Sequence, residues 1–319
     1  MYKLLILAVS VLFWGVSSAQ DLQLKTINNK SLPEISGLAK MADKLVLLPQ
    51  REMALYVMSL DDVLSAMENE KKAAIVQRVP ITGDSPDFKK GSGWEAIAID
   101  SKADPVKVFL SHEDNNGSHS IYEATITSSM HPFADIQIRQ RVKLTPVKDD
   151  GFAYESLVVE EKKLIAIPEL SVDKINEVLI ASDSHVNEIP LLSSTRYRLS
   201  AAKMLPKTDS NIIATSFCYT GDFSKGKCDL KDKNTSEGHL VCLKRKQNLI
   251  EAMDKIKLPL KVDGVNDKAE YNVEGIVFFK EGILLINDNN PGKAVTTLRY
   301  LADKKTQDFI KRCTEFYQP

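Results

Sequence analysis

Five times along the chain, a short apolar run opens on an acidic or hydroxyl residue, passes through a polar turn and returns as a second apolar run. The openings are Glu34-Ile-Ser-Gly-Leu-Ala, Glu95-Ala-Ile-Ala-Ile-Asp, Glu155-Ser-Leu-Val-Val-Glu, Ser200-Ala-Ala-Lys-Met-Leu and Glu274-Gly-Ile-Val-Phe-Phe. The returning runs begin at Lys44, Val106, Lys163, Asn211 and Gly282. Short runs rich in Val and Ile, bounded by turn residues, read as β-hairpins. Successive openings lie 61, 60, 45 and 74 residues apart, enough for four strands per unit. Outer strands are visible at Ala54–Ser59, Ser120–Ile126, Gly238–Leu243 and Thr297–Leu301. A radial array of small sheets accounts for such a repeat most economically. The expected fold is therefore all-β, a β-propeller of five blades, or six if the 74-residue interval hides a further unit. Helical spacing is confined to an insertion near Leu60–Lys71 and a C-terminal segment near Lys305–Phe316. A two-sheet sandwich is the alternative that ignores the repeat.

The N-terminus lies outside this pattern. Lys3, the 13-residue apolar stretch Leu4–Val16 and the small residues Ser17-Ser18-Ala19 have the layout of a signal peptide cleaved after Ala19. The stretch is too short to span a bilayer comfortably, and an uncleaved anchor is the alternative. Residues 1–19 are thus expected to be removed, leaving 20–319 as one propeller domain that is secreted or periplasmic. The 42 basic and 43 acidic residues argue against general affinity for nucleic acid or anionic membrane, and stable membrane insertion of the mature chain is not expected.

Cys218, Cys228, Cys242 and Cys313 form an even set, which an oxidising compartment turns into disulfides. The short turn-rich loop between Cys218 and Cys228 favours that pair, with Cys242–Cys313 as a second possibility. Their spacing lacks the CxxC pairs of a zinc site.

In a propeller the first strand of each blade lines the central channel, so Glu34, Glu95, Glu155, Ser200 and Glu274 should converge at one mouth of it. Two carboxylates about 5 Å apart repel by about 3 kcal/mol at an effective dielectric of about 20. The repulsion is relieved by a cation, by protons, or by backbone N–H donors from adjacent blades. Oxygen-only donors favour a hard cation, and Ca²⁺ tolerates irregular geometry better than Mg²⁺.

The acidic and hydroxyl blade openings resemble those of the calcium-activated nucleotidases (apyrases), five-bladed propellers with calcium on the axis. Ser200-Ala-Ala-Lys-Met-Leu-Pro-Lys-Thr-Asp-Ser-Asn-Ile-Ile-Ala is similar to that family's fourth blade, and Tyr271-Asn-Val-Glu274-Gly-Ile to its last. The Glu-Gly-Ile and Glu-Ser-Leu openings also resemble the esterase-like phytase propellers. The resemblance implies a calcium ion and phosphoester chemistry. It departs from the apyrases after the second strands, where Leu48-Pro49-Gln50-Arg51-Glu52 lacks the family's paired acid and Pro168-Glu169-Leu170 replaces its paired arginines.

Hairpin geometry brings the loops after the second strands to the same mouth. These loops carry Arg51, Glu52, His112, Glu113, Asp114, Asn116, Glu169, Tyr219, Asp222, Asn287, Asp288, Asn289, Asn290 and Lys293. One reading makes the protein a metal-dependent phosphoester hydrolase. His112, Glu113 and Asp114 would supply acid–base chemistry, and Arg51 and Lys293 would hold an anionic ligand beside Asn116, Glu169, Tyr219, Asp288 and Asn289. No Gly-x-Ser-x-Gly nucleophile motif is present. The other reading is a binding propeller, without turnover, for a small molecule, glycan or protein.

Overall fold

The computed structural model describes residues 20–26, 32–68, 74–86, 88, 92–115, 117–126, 136–144, 154–169, 174–179, 186–190, 198–206, 208, 210–218, 237–246, 249–258, 273–287 and 296–315. Strand β1 (Gln20–Thr26) precedes the first repeat unit, which consists of β2 (Ile35–Met41), β3 (Lys44–Pro49), β4 (Ala54–Ser59), helix α1 (Leu60–Glu68) and β5 (Ala74–Gly83). The second unit is β6 (Gly93–Asp100), β7 (Val106–Glu113), β8 (His119–Ile126) and β9 (Ile136–Leu144). The third is β10 (Ser156–Glu160), β11 (Lys163–Ile167), β12 (Lys174–Leu179) and β13 (Val186–Pro190). The fourth is β14 (Arg198–Met204), β15 (Asn211–Cys218), β16 (Glu237–Lys246) and β17 (Leu249–Lys257). The last is β18 (Val273–Phe279), β19 (Gly282–Asn287) and β20 (Thr297–Leu301), followed by helix α2 (Lys304–Glu315).

Within each unit consecutive strands pair antiparallel, as the repeat predicts. Unit five takes its fourth strand from the other end of the chain: β1 pairs antiparallel with β20, Gln20 opposite Tyr300. The innermost strands pack in sequence, β2 on β6, β6 on β10, β10 on β14 and β14 on β18, and β18 returns to β2. That closed ring of sheets is a β-propeller. In the 74-residue interval after Ser200 the described residues hold only the four strands of unit four.

The core lies in the seams. Five apolar clusters each join neighbouring units: Leu38 and Leu47 meet Val277 and Leu284, for example, and Val46 and Leu48 meet Ile97 and Leu110. Further clusters fill the seams between units two and three, three and four, and four and five. A sheet covered on both faces has no solvent side, so β3 and β19 are buried almost end to end. The outer strands β5 and β9 regain a period of two, with residues such as Gln77 and Arg139 exposed. Both helices form where the sequence places them. Asp303 caps α2 by accepting from the Thr306 N–H at 2.7 Å.

Cys242 and Cys313 form a disulfide, Cα to Cα 5.8 Å, which ties α2 to unit four. This is the pairing placed second from sequence; the favoured Cys218–Cys228 pair involves Cys228, outside the described residues.

Candidate functional site

Four of the five innermost strands carry a register shift at the same place, between Ile35 and Gly37, Trp94 and Ala96, Leu199 and Ala201, and Val273 and Gly275. The residues at those bulges are Ser36, Glu95, Ser200 and Glu274, and Glu155 stands in the matching place just ahead of β10. A bulge re-aims one side chain and often lies beside a functional site. In unit one the bulge residue is therefore Ser36, whose Oγ donates to the Leu48 carbonyl at 3.4 Å. Glu34 lies two residues earlier and reaches the mouth from the loop ahead of β2. Directly below this layer sit Gly37, Ala96, Ser156, Ala201 and Gly275, all small because the strands converge there. A Cβ on Gly275 would lie 2.7 Å from the Leu38 backbone nitrogen. With Glu155, Glu274, Leu38, Ile97, Leu157, Ala202 and Ile276, the small residues line a narrow axial cavity of about 10 Å³. The Ser156 Oγ is buried there without a hydrogen-bond partner.

Above the cavity the carboxylates gather. Glu95 is 6% exposed and its carboxyl is held well above the usual range, first by burial and then by repulsion from Glu155, Glu113 and Glu34. Burial, Glu155 and Asp114 push Glu113 up to about 7. The Gln50 side chain, beside Glu95, opposes the shift there. Its amide nitrogen, oriented by the partners it faces, also donates to both Glu34 oxygens at 2.8 and 3.1 Å. Arg51 stands 4.0 Å from Glu34. Among the described residues no three His, Cys, Asp or Glu side chains stand close enough together to enclose a metal ion.

His112 is separated from this cluster by strand alternation. Glu113 couples to Glu155 and Glu95, so the preceding residue on β7 points to the other face. There the His112 ring packs edge-on to Trp94 at 5.2 Å, Phe88 at 5.6 Å and Tyr122 at 6.2 Å, and its side chain is wholly buried. Its Nδ1 lies 3.3 Å from Asp114 Oδ1. The Ser118 Oγ donates to the other Asp114 oxygen at 2.8 Å. Electrostatic coupling thus links Glu34, Glu95, Glu113 and Glu155, with Gln50 and Arg51 beside Glu34, and the His112 ring lies in the seam between units one and two.

Glu52 is turned outward, accepting from Arg78 at 3.1 Å and Tyr56 at 3.2 Å. Glu169 is buried, and its carbonyl accepts from the Leu199 N–H at 2.6 Å. The Asn287 Oδ1 accepts from the Thr297 N–H at 2.6 Å and so closes its own loop. Asn116, Tyr219, Asp222, Asp288, Asn289, Asn290 and Lys293 lie outside the described residues. Two members of the mouth escaped the sequence reading. The recurrent Ser/Glu-small-apolar triplet, Ser36-Gly37-Leu38 beside Glu274-Gly275-Ile276, is the signal for Ser36. Gln50 carries no sequence signal of its own.

No protein-family model and no curated protein sequence matches the chain. Among solved structures it is similar to a glucose dehydrogenase, with a TM-score of 0.53 at 9% identity over 89% of this chain and 99% of the other. A second glucose dehydrogenase has a TM-score of 0.50 at 11% identity over the same shares. A GH43 β-1,3-galactosidase also has a TM-score of 0.50, at 9% identity over 89% of this chain, which spans 59% of that enzyme's length. These neighbours are propellers, and at such identities the likeness establishes the β-propeller fold alone.

Proposed function

We propose that the protein is an exported propeller that holds a divalent cation, Ca²⁺ first among candidates, at the acidic mouth of its channel and binds a small anionic ligand there. The observation that carries this reading is Glu95, buried and repelled by the charges of Glu155, Glu113 and Glu34. A cation offsets that repulsion while leaving the carboxylates ionised, which protons do not. The donor chemistry fits a hard ion: Glu34, Glu95, Glu155, Glu274 and Ser200 offer only oxygen, and the unpartnered Ser156 Oγ lines the cavity beneath. Closure around an ion requires the carboxylates to draw inward, because the described side chains do not yet enclose one. A bound cation would turn an acidic mouth into one that accepts phosphate or carboxylate, with Arg51 alongside. Export is supported by the signal-like N-terminus and by the Cys242–Cys313 disulfide, and no helix among the described residues is long and apolar enough to cross a membrane.

Thermal melting in Ca²⁺ and in EDTA tests the ion. The expected result is a higher melting temperature in Ca²⁺ and binding seen by calorimetry; coincident melts with a flat titration would overturn it. Mass spectrometry of the exported chain, with Gln20 expected at its N-terminus, tests cleavage.

Phosphoester hydrolysis is the second reading. Glu113, held at about 7, is poised to transfer a proton near neutral pH. The apyrase-like blade openings favour a phosphoester substrate. His112, sealed among aromatic rings, supports this reading less than Glu113 does. A panel of nucleotides, phytate and chromogenic esters should show a turnover that Glu113→Gln removes. No turnover on the panel leaves a binding propeller.

A further inference from the structure

The geometry points to Gln50 as the positioning residue of the mouth, a neutral bridge that holds the unit-one and unit-two carboxylates in register; the inference rests on the channel mouth being the ligand site. The Gln50 main chain is fixed on both sides. Its N–H donates to the Glu34 carbonyl at 2.8 Å, and its carbonyl accepts from the Trp94 N–H at 2.7 Å, next to Glu95. The residue preceding Trp94 is glycine for a spatial reason: a Cβ on Gly93 would lie 2.7 Å from the Gln50 Cγ and 2.9 Å from its carbonyl oxygen. With its backbone clamped and Gly93 cleared beneath it, the side chain is directed at both acids. The amide nitrogen donates to the Glu34 oxygens, and the same side chain lies beside the Glu95 carboxyl. An amide in this place satisfies one carboxylate and separates it from the second without adding a charge, which neither a third acid nor an apolar side chain can do. Gln50 therefore sets how closely Glu34 and Glu95 approach, and with it the span that any ligand of the mouth must fit.

A double-mutant cycle in EDTA separates this role from simple packing. Gln50→Leu keeps the bulk and loses the donors, and is expected to lower the melting temperature by several degrees. In a Glu95→Gln background, where one charge of the pair is gone, the same change should cost less than half as much. Equal cost in both backgrounds would make Gln50 a filler and overturn the proposal. Gln50→Glu adds a third carboxylate; it should melt below wild type in EDTA and bind Ca²⁺ at least tenfold more tightly, while Gln50→Leu binds it more weakly. A Ca²⁺ response unchanged by both variants would also overturn the bridging role. If wild type shows no Ca²⁺ response at all, the cation reading falls, and the cycle in EDTA still decides the role of Gln50. Gly93→Ala, which displaces the side chain without altering its chemistry, should reproduce the Gln50→Leu shift if Gln50→Leu itself fails to fold.

Discussion

Glu113 and His119 titrate in opposite senses, which makes the mouth and the adjacent seam separable by pH. Glu113 is held at about 7 against an ordinary 4.5, so the folded state binds its proton more tightly than the unfolded state does. Its contribution to stability is complete below about 4.5 and is lost as pH rises through about 7. Glu113→Gln should therefore match wild type near pH 4.5 and exceed it at pH 8 in EDTA, as read by urea midpoints. Equal stability at both values would place Glu113 in solvent. His119 runs the other way. Buried against Tyr154 at 5.1 Å, it is lowered to about 4 from 6.5. Its contribution is present above about 6.5 and is lost as pH falls toward 4, so His119→Gln should flatten the acid limb of the stability curve. Glu123 provides a third test at this scale. It is 5% exposed between Lys107 at 3.2 Å and Arg141, itself 2% exposed and 5.7 Å from the Phe109 ring. Removing one partner of a buried pair costs about 3–5 kcal/mol, and Glu123→Ala should lose about that much in denaturant unfolding. A loss below about 1 kcal/mol, the range of exposed pairs, would contradict the burial.

At the scale of strands, the hairpins were legible because neighbouring sheets cover both faces of the inner strands, leaving uninterrupted apolar runs such as Gly282–Asn287. Their register was not. Glu34 and Glu95 look alike as openings, yet the bulge between Ile35 and Gly37 puts Ser36 in the position that Glu95 holds. A bulge inserts one residue, and its location depends on a partner strand that the local sequence does not display. The three-residue run His112-Glu113-Asp114 divides for a related reason: adjacent strand residues face opposite ways, so β7 turns His112 and Glu113 to different faces. The outer strands hold a further long-range feature. β5 pairs in parallel with β1 through Leu24 opposite Ala74, and with β9 through Ile81 opposite Ile136. Gly83 permits the second pairing: its φ is +105°, and a Cβ would overlap the Ile138 carbonyl oxygen. Gly83→Ala should destabilise the fold and raise hydrogen exchange selectively at the β5–β9 junction. Exchange confined to β1 instead would refute the link.

Across the molecule, these links divide the ring unevenly. Outer-strand pairing joins units five, one and two into one continuous sheet, whereas units three and four are separate four-stranded sheets. The seam between units four and five is held instead through α2. The Cys242–Cys313 disulfide crosses it, Asn211 Nδ2 donates to the Cys313 carbonyl, and Arg312 pairs with Asp254 at 2.9 Å. Phe309 and Cys313 sit in the same apolar cluster as Leu240 and Leu285. A cross-link between residues 71 apart removes about 4 kcal/mol of loop entropy from the unfolded chain. Cys242→Ser with Cys313→Ser should lower stability by up to that amount. If the disulfide acted only on the unfolded state, native-state exchange would rise evenly over the slowest amides. Because α2 also staples a seam that lacks strand pairing, faster exchange should appear first in β16, β17 and α2, with β6–β9 protected to nearly the new global limit. Uniform acceleration would show that the seam opens only with the whole ring, and that the apolar cluster closes it without the helix.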